Sequence, residues 1–421
     1  MKKKLLQLLP MSLLLTISSA QADFRSDAAQ EWQAYLKEMT PMGEQMIAEM
    51  SNPEDPQLRQ EMYRFIFGTL AFEYFNHFIA DPEHPDFVPA PNEYANLWAP
   101  SPDHSYYMVT VDGDGVYEIS GYRGTVRIID FSLSGGDLYP KGVEGDQGAT
   151  YANYNLDDIE LDENGYFKLI LSQTRPVGYE GIWWKLHPET THIIVRQIAY
   201  DWLNEVDGRF SIDRLDTPAM KPRLSAEELQ GKMLHMPASA IAMMRYGTGW
   251  VEKNYRQKDL INKLVVHDLN NLGGLTTQAY VEGMFELAEN EVLIYETTLP
   301  ESCEFWNIQL TDENWSSLDW IHRQTHLNGF LAKPDSDGKF RAVLSAKDPG
   351  VPNWLDTLGY KKGVIFARWT NCTSTPEPTV KRVVFARLRQ HLPQDTPVVT
   401  IEERDAQIRQ RRKGAQLRKR W

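Results

Sequence analysis

The sequence predicts an α+β protein: an antiparallel, jelly-roll-like β-sandwich of two related halves, with a helical N-terminal region and a helical insertion. Three observations predict this fold class. Apolar residues recur at helical spacing before residue 82 and again between residues 225 and 264. Between and after these segments, short β-branched and aromatic runs are bounded by Gly, Asp and Asn, which is typical of strands. A weak internal echo relates the two groups of strands.

The chain opens with a segment that is typical of a secretory signal peptide. Lysines at 2–4 precede an apolar stretch, and an A-x-A cleavage signal follows at 20–22. The apolar stretch is too short to span a membrane, and Pro10 interrupts it. An uncleaved interfacial anchor is the alternative. We therefore expect residues 1–22 to be removed and the protein to be periplasmic or secreted.

Residues 23–95 are predicted to form the helical N-terminal region. Met62 and Phe65 belong to an apolar series at helical spacing, and Pro56 stands where the first turn of a helix tolerates proline. Five prolines between positions 81 and 100 then predict an extended connector, because proline disfavours helix in the residue before it.

Two groups of strands follow, one in residues 96–220 and one in residues 271–392. A helical insertion at 221–270 separates them. Ser225 and Glu228 have the spacing of a capping box, which predicts the start of the insertion helix. We therefore expect a first β half, the insertion and a second β half, in that order.

The internal echo links the two β halves. DENGYFKLILS at 162–172 matches DSDGKFRAVLS at 335–345 in its acidic, Gly, Phe, basic, apolar and Ser positions. Asn-Gly and Asp-Gly favour tight hairpin turns, because both central residues need positive φ. Each half then carries a tryptophan, Trp184 or Trp354, and an apolar strand that contains an arginine. Such a duplicated hairpin unit suits two packed sheets.

The overall charge disfavours nucleic acid as a partner. The chain has 44 basic and 58 acidic side chains, whereas phosphate neutralisation needs a basic surface. The tail at 393–421 is an exception, because it is rich in Arg and Lys and ends in Trp421. Peripheral contact of this basic C-terminal tail with an anionic membrane is one interpretation. A solvated end, or docking on the acidic body, is the other.

The sequence indicates no cofactor. It contains no G-x-S-x-G, H-E-x-x-H, phosphate-binding-loop or dinucleotide-binding motif. His322 and His326 are four residues apart, which on a helix would turn both toward one zinc ion, but the cationic Arg323 beside them opposes a metal. We therefore expect no metal site and keep zinc at the two histidines as a weak alternative. The Asp-rich turns lack the later Glu of a calcium loop.

Two cysteines, Cys303 and Cys372, remain in a chain that is expected to be exported. Both lie at ends of predicted strands, and the periplasm permits disulfides. A disulfide between them and two buried thiols are both open interpretations.

Aromatic and polar residues in the second β half predict a ligand-binding surface. Flat rings beside Asn, Asp and Arg suit sugar rings or other amphipathic ligands, because apolar faces are buried while polar edges are paired. The alternative is that the tryptophans form core and that the Asn and Asp residues make turns. The candidates are Trp306, Trp320, Arg323, His326, Asn328, Asn353, Trp354, Asp356, Arg368 and Trp369.

Arg196 and Arg368 are the most informative polar residues, because each stands inside an apolar strand. A buried arginine needs a carboxylate or carbonyl partner. The nearest acidic candidates in the sequence are Asp201, Asp348 and Asp356.

The stretch KDPGVPNWLDTLG, residues 347–359, predicts a rigid loop after the FRAVLS strand, because its prolines and glycines exclude regular helix and central strand. Loops at the end of a β-sandwich often carry binding sites. This loop would present Asn353, Trp354 and Asp356 at one end of the sandwich, either to a ligand or as a cap on the core.

The C-terminal third resembles a bacterial family of envelope proteins that contains the domain of unknown function 1214. The resemblance rests on FWNIQLTDENWSSLDWIHRQTHLNG, DSDGKFRAVLSAKDPGVPNWLDT and VIFARW, and it extends over about residues 95–215 and 275–390. DPGVPNWLDT is its most specific piece. The resemblance implies a β-sandwich in the cell envelope and carries over no catalytic residue. One departure lies at 99–103, APSPD, where the family pattern has a Gly-Asp-Asn-Pro-Asp-like turn.

These observations favour a periplasmic protein that binds a glycan or an amphipathic small molecule on its β-sandwich. A hydrolase or lyase that uses an Arg/His/Asp cluster near the DPGVPNWLDT loop is the first alternative, because His322 or His326 together with Asp348 or Asp356 could perform acid–base chemistry. A structural component of the cell envelope is the second.

The predicted signal peptide can be tested by expressing the chain with its own N-terminus in a Gram-negative host. We expect the protein in the periplasmic fraction with Asp23 as its first residue, because cleavage follows the A-x-A signal. Intact-protein mass spectrometry would measure this. A protein that keeps residues 1–22 and stays with the membrane fraction would support the interfacial anchor instead.

Overall fold

The computed structural model describes residues 12–49, 55–136, 149–267 and 274–418. These residues contain the α-helices α1 (Ser12–Glu49), α2 (Pro56–Tyr74), α3 (Ala226–Val251) and α4 (Ile401–Leu417). Single π-helical segments extend α2 through Ile79 and α3 through Arg256. The N-terminal region and the insertion are helical, as the sequence predicts. However, α1 begins inside the predicted signal peptide and α3 ends earlier than expected.

In the described part of the chain, the strands come in two runs of nine. The first run is β1 (Val88–Pro89), β2 (His104–Thr110), β3 (Tyr117–Tyr122), β4 (Ile128–Gly135), β5 (Thr150–Asn155), β6 (Tyr166–Ser172), β7 (Ile182–Lys185), β8 (Thr190–Ile198) and β9 (Arg209–Arg214). The second run is β10 (Val265–His267), β11 (Gln278–Glu286), β12 (Glu291–Thr298), β13 (Cys303–Thr311), β14 (His326–Asn328), β15 (Lys339–Ser345), β16 (Trp354–Asp356), β17 (Lys362–Cys372) and β18 (Thr379–Val384).

Each run of nine strands folds into two sheets with the same strand order. The first run forms the sheets β1-β2-β8-β4-β5 and β7-β6-β3-β9, and the second forms β10-β11-β17-β13-β14 and β16-β15-β12-β18. Adding nine to a strand number in the first half therefore gives its counterpart in the second. Pairing among these strands is antiparallel except in β6–β7 and β15–β16. The echo in the sequence thus reflects duplication of a complete nine-strand unit.

Each half is a two-layer sandwich with its own apolar core. Phe131 of β4 and Leu169 of β6 belong to the first core, and Ile308 of β13 and Ala342 of β15 belong to the second. These side chains come from opposite sheets of each half and alternate along their strands with residues of the other face. The predicted two-half sandwich is therefore built as two separate sandwiches.

The strand register corrects one equivalence drawn from the sequence. Val343 of β15 pairs with Trp354, and its counterpart Ile170 of β6 pairs with Trp183. The counterpart of Trp354 is therefore Trp183, whereas Trp184 lies in the first core. A shift of one residue turns a strand side chain to the other face of the sheet.

In the second half, β13 and β17 are joined covalently as well as by hydrogen bonds. Cys303 and Cys372 stand directly opposite each other in the register and form a disulfide. The sequence left open a disulfide or two buried thiols, and the structure contains the disulfide.

The helices α2 and α3 cover the faces of both five-stranded sheets that point away from the cores. Met62 of α2 and Met243 of α3 pack with Met108 of β2. Trp250 of α3 packs with Phe366 of β17. Both faces of each five-stranded sheet are therefore buried, which explains its mixed apolar and polar residues. Among the described residues, no helix has the length and apolarity needed to cross a membrane.

The basic C-terminal tail forms α4 and docks on the body. The Nε of Arg404 donates to Asp348 over 2.9 Å, and its Nη2 donates to the carbonyl of Val351 over 2.6 Å. Its guanidinium also lies 5.3 Å from the centre of the Trp354 ring. The 347–359 loop is therefore held by α4 as well as by its own prolines.

At its C-terminal end, α4 contacts the first half. The buried Arg418 pairs with Asp207, with Nη2 2.7 Å from Oδ1, and donates to the backbone carbonyls of Asp103 and Gln197. Because Arg404 contacts the second half and Arg418 the first, α4 bridges the two sandwiches.

We expect the substitution Arg418→Ala to lower the free energy of unfolding by about 3–5 kcal/mol, because it leaves the buried carboxylate of Asp207 without its cation. Arg409→Ala is the matched control, since Arg409 lies on α4 with 71% of its side chain exposed and pairs only with Asp405 of the same helix. It should change stability by less than about 1 kcal/mol. Urea denaturation would measure both, and equal losses would show that α4 is not anchored by Arg418.

Candidate functional site

A cavity of about 170 Å³ lies between the five-stranded sheets of the two halves and the helices that cover them. Its wall includes alternate residues of β2 and β8 and of β11 and β17, on the faces that point away from the cores. The connector before β2 and the loop after β13 complete the wall. The residues that define its chemistry are His104, Tyr106, Arg196, Trp315, Tyr280 and Arg368.

Arg196 and Arg368 occupy the same position in the duplicated fold. The register of the first sheet places four side-chain positions in one row: Tyr106, Arg196, Asp130 and Asn155. The corresponding row of the second sheet is Tyr280, Arg368, Asn307 and Asn328. The two rows differ in charge at one place, where the aspartate of the first half is matched by an asparagine in the second.

Arg196 shares its row with a carboxylate. Its Nη1 donates to the hydroxyl of Ser132 over 2.5 Å, and that hydroxyl donates to Asp130 over 2.6 Å. Burial raises the pKa of Asp130, and the charge of Arg196 opposes that rise. The arginine and the aspartate therefore form a local charge pair that is relayed by a serine.

Arg368 is held by neutral groups instead. Its Nη1 donates to Oε1 of Gln309 over 2.7 Å, and its Nη2 donates to the carbonyl of Ala99 over 2.8 Å. The guanidinium lies 4.2 Å from the centre of the Phe366 ring. Among the described residues no carboxylate is close enough to form an ion pair with it. Burial lowers the pKa of Arg368, which Asp103 and Glu282 oppose from a distance.

Two buried polar atoms on residues that line the cavity lack a hydrogen-bond partner among the described residues. They are Nδ1 of His104 and Nε1 of Trp315, and both residues are more than nine-tenths buried. An unpaired buried polar group costs about 1–3 kcal/mol. A ligand in the cavity could supply the missing partners.

The backbone around the cavity is strained. Trp98, Ala99 and Trp315 line the cavity and have φ angles of 61°, 53° and 63°, in the left-handed region. The amide of Ala99 donates to the carbonyl of Trp315 over 2.7 Å, which ties the two strained segments together. Strain of this kind costs roughly 1–3 kcal/mol per residue and is concentrated at functional sites.

The two histidines of the cavity are neutral at physiological pH. Burial, and then the charges of Arg368 and Arg196, hold the pKa of His104 well below its ordinary value. Burial and Arg196 lower the pKa of His192 to about 4. The positive charge in the cavity wall therefore comes from the arginines.

Beside the cavity, the buried carboxylate of Asp103 joins the halves. It accepts hydrogen bonds from Asn307 over 2.9 Å, Asn328 over 2.7 Å and Trp202 over 3.0 Å, and its Oδ1 lies 3.2 Å from Nε2 of His326. Burial raises the pKa of Asp103, but His326 and the two asparagines together hold it below its ordinary value. The candidates His326 and Asn328 thus belong to this buried network.

The four candidate tryptophans do not form a common ligand surface. Trp306 and Trp369 stack with ring centres 5.6 Å apart in the second core, and Trp320 lies in the first core. Trp354 is 7% exposed and lies under Arg404. Their large apolar area is buried by packing, which is the alternative that the sequence left open.

The polar candidates of the loop region also contact the protein itself. Arg323 donates to Asp356 over 2.6 Å. Asn353 donates to the backbone carbonyls of Lys333 and Arg341. The predicted loop therefore braces the second sandwich and receives α4.

The helical spacing that would turn His322 and His326 toward one zinc ion is absent, because His322 lies in a turn and His326 begins β14. His322 is exposed and lies 3.0 Å from a carboxylate oxygen of Asp319, whereas His326 is fully buried. In the part of the chain that the structure describes, no group of three His, Cys, Asp or Glu side chains could hold a metal ion.

Of the ten candidates, Arg368 alone lines the cavity. The residues that the sequence pattern missed are His104, Tyr106, Tyr280 and Trp315. The sequence did contain a pattern that could have indicated these residues. In β2, whose two faces are both buried, polar and aromatic residues alternate with core residues. Its meaning depended on what lies against the second face.

A second, larger groove of about 720 Å³ lies beside α2 and the 347–359 loop. The aromatic rings of Tyr63, Phe67 and Tyr94 on its border are at least half exposed. Asp312 lines it, and burial raises the pKa of this carboxyl to about 7, with a further rise from Glu61. This groove therefore contains an acid that titrates near neutral pH.

One solved structure supports the fold strongly. The chain is similar to an uncharacterised protein from Burkholderia cenocepacia, with a TM-score of 0.77 and 28% identity over 85% of this chain and 98% of that chain. A Vibrio parahaemolyticus protein aligns at 13% identity with a TM-score of 0.44, over 76% of this chain and 98% of that chain. No protein-family model matches the chain, and no curated protein is similar to it. The resemblance to the domain of unknown function 1214 stays a prediction.

The raised pKa of Asp312 gives a pH-dependent stability. The folded state favours the neutral form of this carboxyl. Its contribution to the free energy of unfolding is therefore complete below pH ~4, the pKa of the group in the unfolded state. The contribution is lost as the pH rises through about 7, the pKa in the folded state. The side chain of Asp312→Asn stays neutral at every pH. We therefore expect its free energy of unfolding to rise relative to that of the unaltered protein when the pH is raised from 5 to 8. The exposed Asp158→Asn is the control. Urea denaturation at both pH values measures the difference, and an unchanged difference would contradict the shift.

Proposed function

We propose that this chain is a non-catalytic protein of the bacterial periplasm that binds an amphipathic small molecule in the cavity between its halves. The wall of the cavity carries the proposal, because buried polar atoms without partners stand there among aromatic rings. His104 and Trp315 each leave a nitrogen unpaired, and Tyr280 and Phe366 present stacked rings beside them. A ligand with a polar end and an apolar body satisfies both features.

The character of the wall favours an amphipathic molecule over a glycan. Rings and aliphatic side chains from Phe72, Leu97, Ile194 and Tyr246 line most of it. A sugar has hydroxyl groups around its whole edge, and each hydroxyl that is buried in the cavity would need a partner. A molecule with its polar groups at one end needs far fewer.

The strained backbone also supports a binding role. Trp98 and Ala99 adopt positive φ directly at the cavity, and the Ala99 carbonyl holds Arg368. A bulky residue in this conformation is a true outlier. A structural envelope component has no need for this local cost, whereas a preformed binding site does.

A hydrolase or lyase is the second candidate function, and the larger groove favours it. Asp312 has a pKa of about 7, which suits a general acid or base at neutral pH, and burial also raises the pKa of Glu61. His322 and Leu358 also line this groove, so it adjoins the DPGVPNWLDT loop. If the chain is an enzyme, Asp312→Asn should abolish turnover while the cavity keeps its ligand.

Native mass spectrometry tests the binding function. The full chain is produced with its own N-terminus, purified from the periplasm and measured before and after denaturation. We expect an added mass that denaturation removes. The substitution Ile194→Trp, which fills the cavity, should abolish this mass, because Ile194 lines the wall.

Val177→Trp is the matched control, since Val177 is fully exposed and does not line the cavity. Circular dichroism establishes that both variants are folded. An added mass that survives Ile194→Trp would place the ligand elsewhere, and a bare protein in every preparation would count against binding.

A further inference from the structure

We infer that the ligand is a small monoanion, a ring-bearing carboxylate whose carboxylate group pairs with Arg368. This inference rests on the proposed function and adds the charge and chemical class of the ligand. It follows from the asymmetry between two equivalent arginines, from the free donors around one of them, and from the size of the cavity.

The duplicated fold provides an internal comparison of charge. In the first half, Asp130 stands in the row beside Arg196 and is linked to it through the hydroxyl of Ser132. In the second half, Asn307 stands at that position, and Arg368 donates to two neutral acceptors, Gln309 and the carbonyl of Ala99. The second row therefore carries one positive charge and no carboxylate of its own. A buried charge without a counter-charge calls for an anion.

Glu282 and Asp103 do not supply that counter-charge by contact. Asp103 accepts its hydrogen bonds from Asn307 and other neutral donors. Glu282 accepts from Tyr255 and lies 3.2 Å from His267. Both carboxylates thus make their contacts in other networks, and among the described residues neither forms an ion pair with Arg368, although Oε1 of Glu282 lacks a hydrogen-bond partner there.

Several donors at the cavity wall remain available to an acceptor. A guanidinium has five N–H groups, and Arg368 uses two of them on Gln309 and Ala99. Nε1 of Trp315 is a further donor without a partner, and Nδ1 of His104 is another in the tautomer that protonates it. A carboxylate offers about four lone-pair sites and no proton. It therefore matches a set that consists of donors.

The volume of the cavity and the residues of its wall determine what the ligand carries besides its carboxylate. A cavity of about 150 Å³ in another protein accepts a benzene ring, and this one has about 170 Å³. The rings of Tyr280, Phe366 and Trp315 provide flat apolar contact. One ring with a carboxylate fits this space, whereas a phosphate monoester would bring a charge of about −2 at neutral pH to a single unbalanced cation.

Calorimetric titration of the full-length protein tests the inference, with benzoate as the probe and benzamide as its neutral isostere. Quenching of tryptophan fluorescence reports on Trp315 in the same titrations. We expect benzoate to bind about tenfold or more tightly than benzamide, because charge-assisted hydrogen bonds form only with the anion. The substitution Arg368→Gln should remove this preference and leave benzamide binding unchanged.

Arg382→Gln is the matched control and should preserve the preference for benzoate, because this arginine of β18 has 53% of its side chain exposed and does not line the cavity. Arg196→Gln tests the other arginine of the wall, at the equivalent position of the first half. Gln309→Glu is a second variant, which gives Arg368 an internal carboxylate and should also remove the preference. Melting curves followed by circular dichroism show which variants are folded, so the test does not depend on one substitution.

The outcomes separate the two proposals. Equal binding of benzoate and benzamide, or a preference that survives both Arg368→Gln and Gln309→Glu, overturns the anionic ligand but leaves a binding cavity. Failure of both probes to bind, together with a bare protein in native mass spectrometry, overturns the binding function itself. Loss of the preference in Arg196→Gln alone would place the anion on the first half and overturn the role of Arg368.

Discussion

The buried carboxylate of Asp103 is the interaction on which the arrangement of the two sandwiches depends. It belongs to the first half, and Asn307 and Asn328 of the second half donate to it. Desolvating a carboxylate is costly unless donors surround it, so the two five-stranded sheets can meet in few other ways. This contact links the two sheets whose outer faces line the cavity. Arg418 of α4 adds a bond to the backbone of the same residue and closes the junction.

Duplication supplied two equivalent rows of side chains, and the docking of the halves made them different. In the first row Arg196 is balanced by Asp130 through a serine. In the second row the position of that aspartate is taken by Asn307, which serves the carboxylate of Asp103 instead. The asparagine is thus required by the junction, and the charge of Arg368 is left to the cavity as a consequence. One contact between the halves therefore determines both the junction and the character of the site.

The cavity is closed by segments that do not belong to either sandwich. The connector before β2 places Trp98 and Ala99 in a strained conformation against Trp315 of the second half. The helices α2 and α3 then cover the site with Phe72 and Tyr246. Strain is tolerated there because packing on several sides fixes the backbone. The proline-rich connector, which the sequence presents as an extended link, is therefore part of the wall.

The sequence by itself determined the local elements and the fold class. The helical N-terminal region, the capping box at Ser225 and the repeated strands follow from side-chain periodicity and turn chemistry, which act over a few residues. It also identified Arg368 as a polar residue that needs a partner. Only the tertiary structure decided that Trp306 and Trp369 are core and that His104 and Trp315 line a cavity with that arginine. The physical reason is that both faces of a buried strand look alike in sequence, and what lies against each face depends on contacts hundreds of residues away.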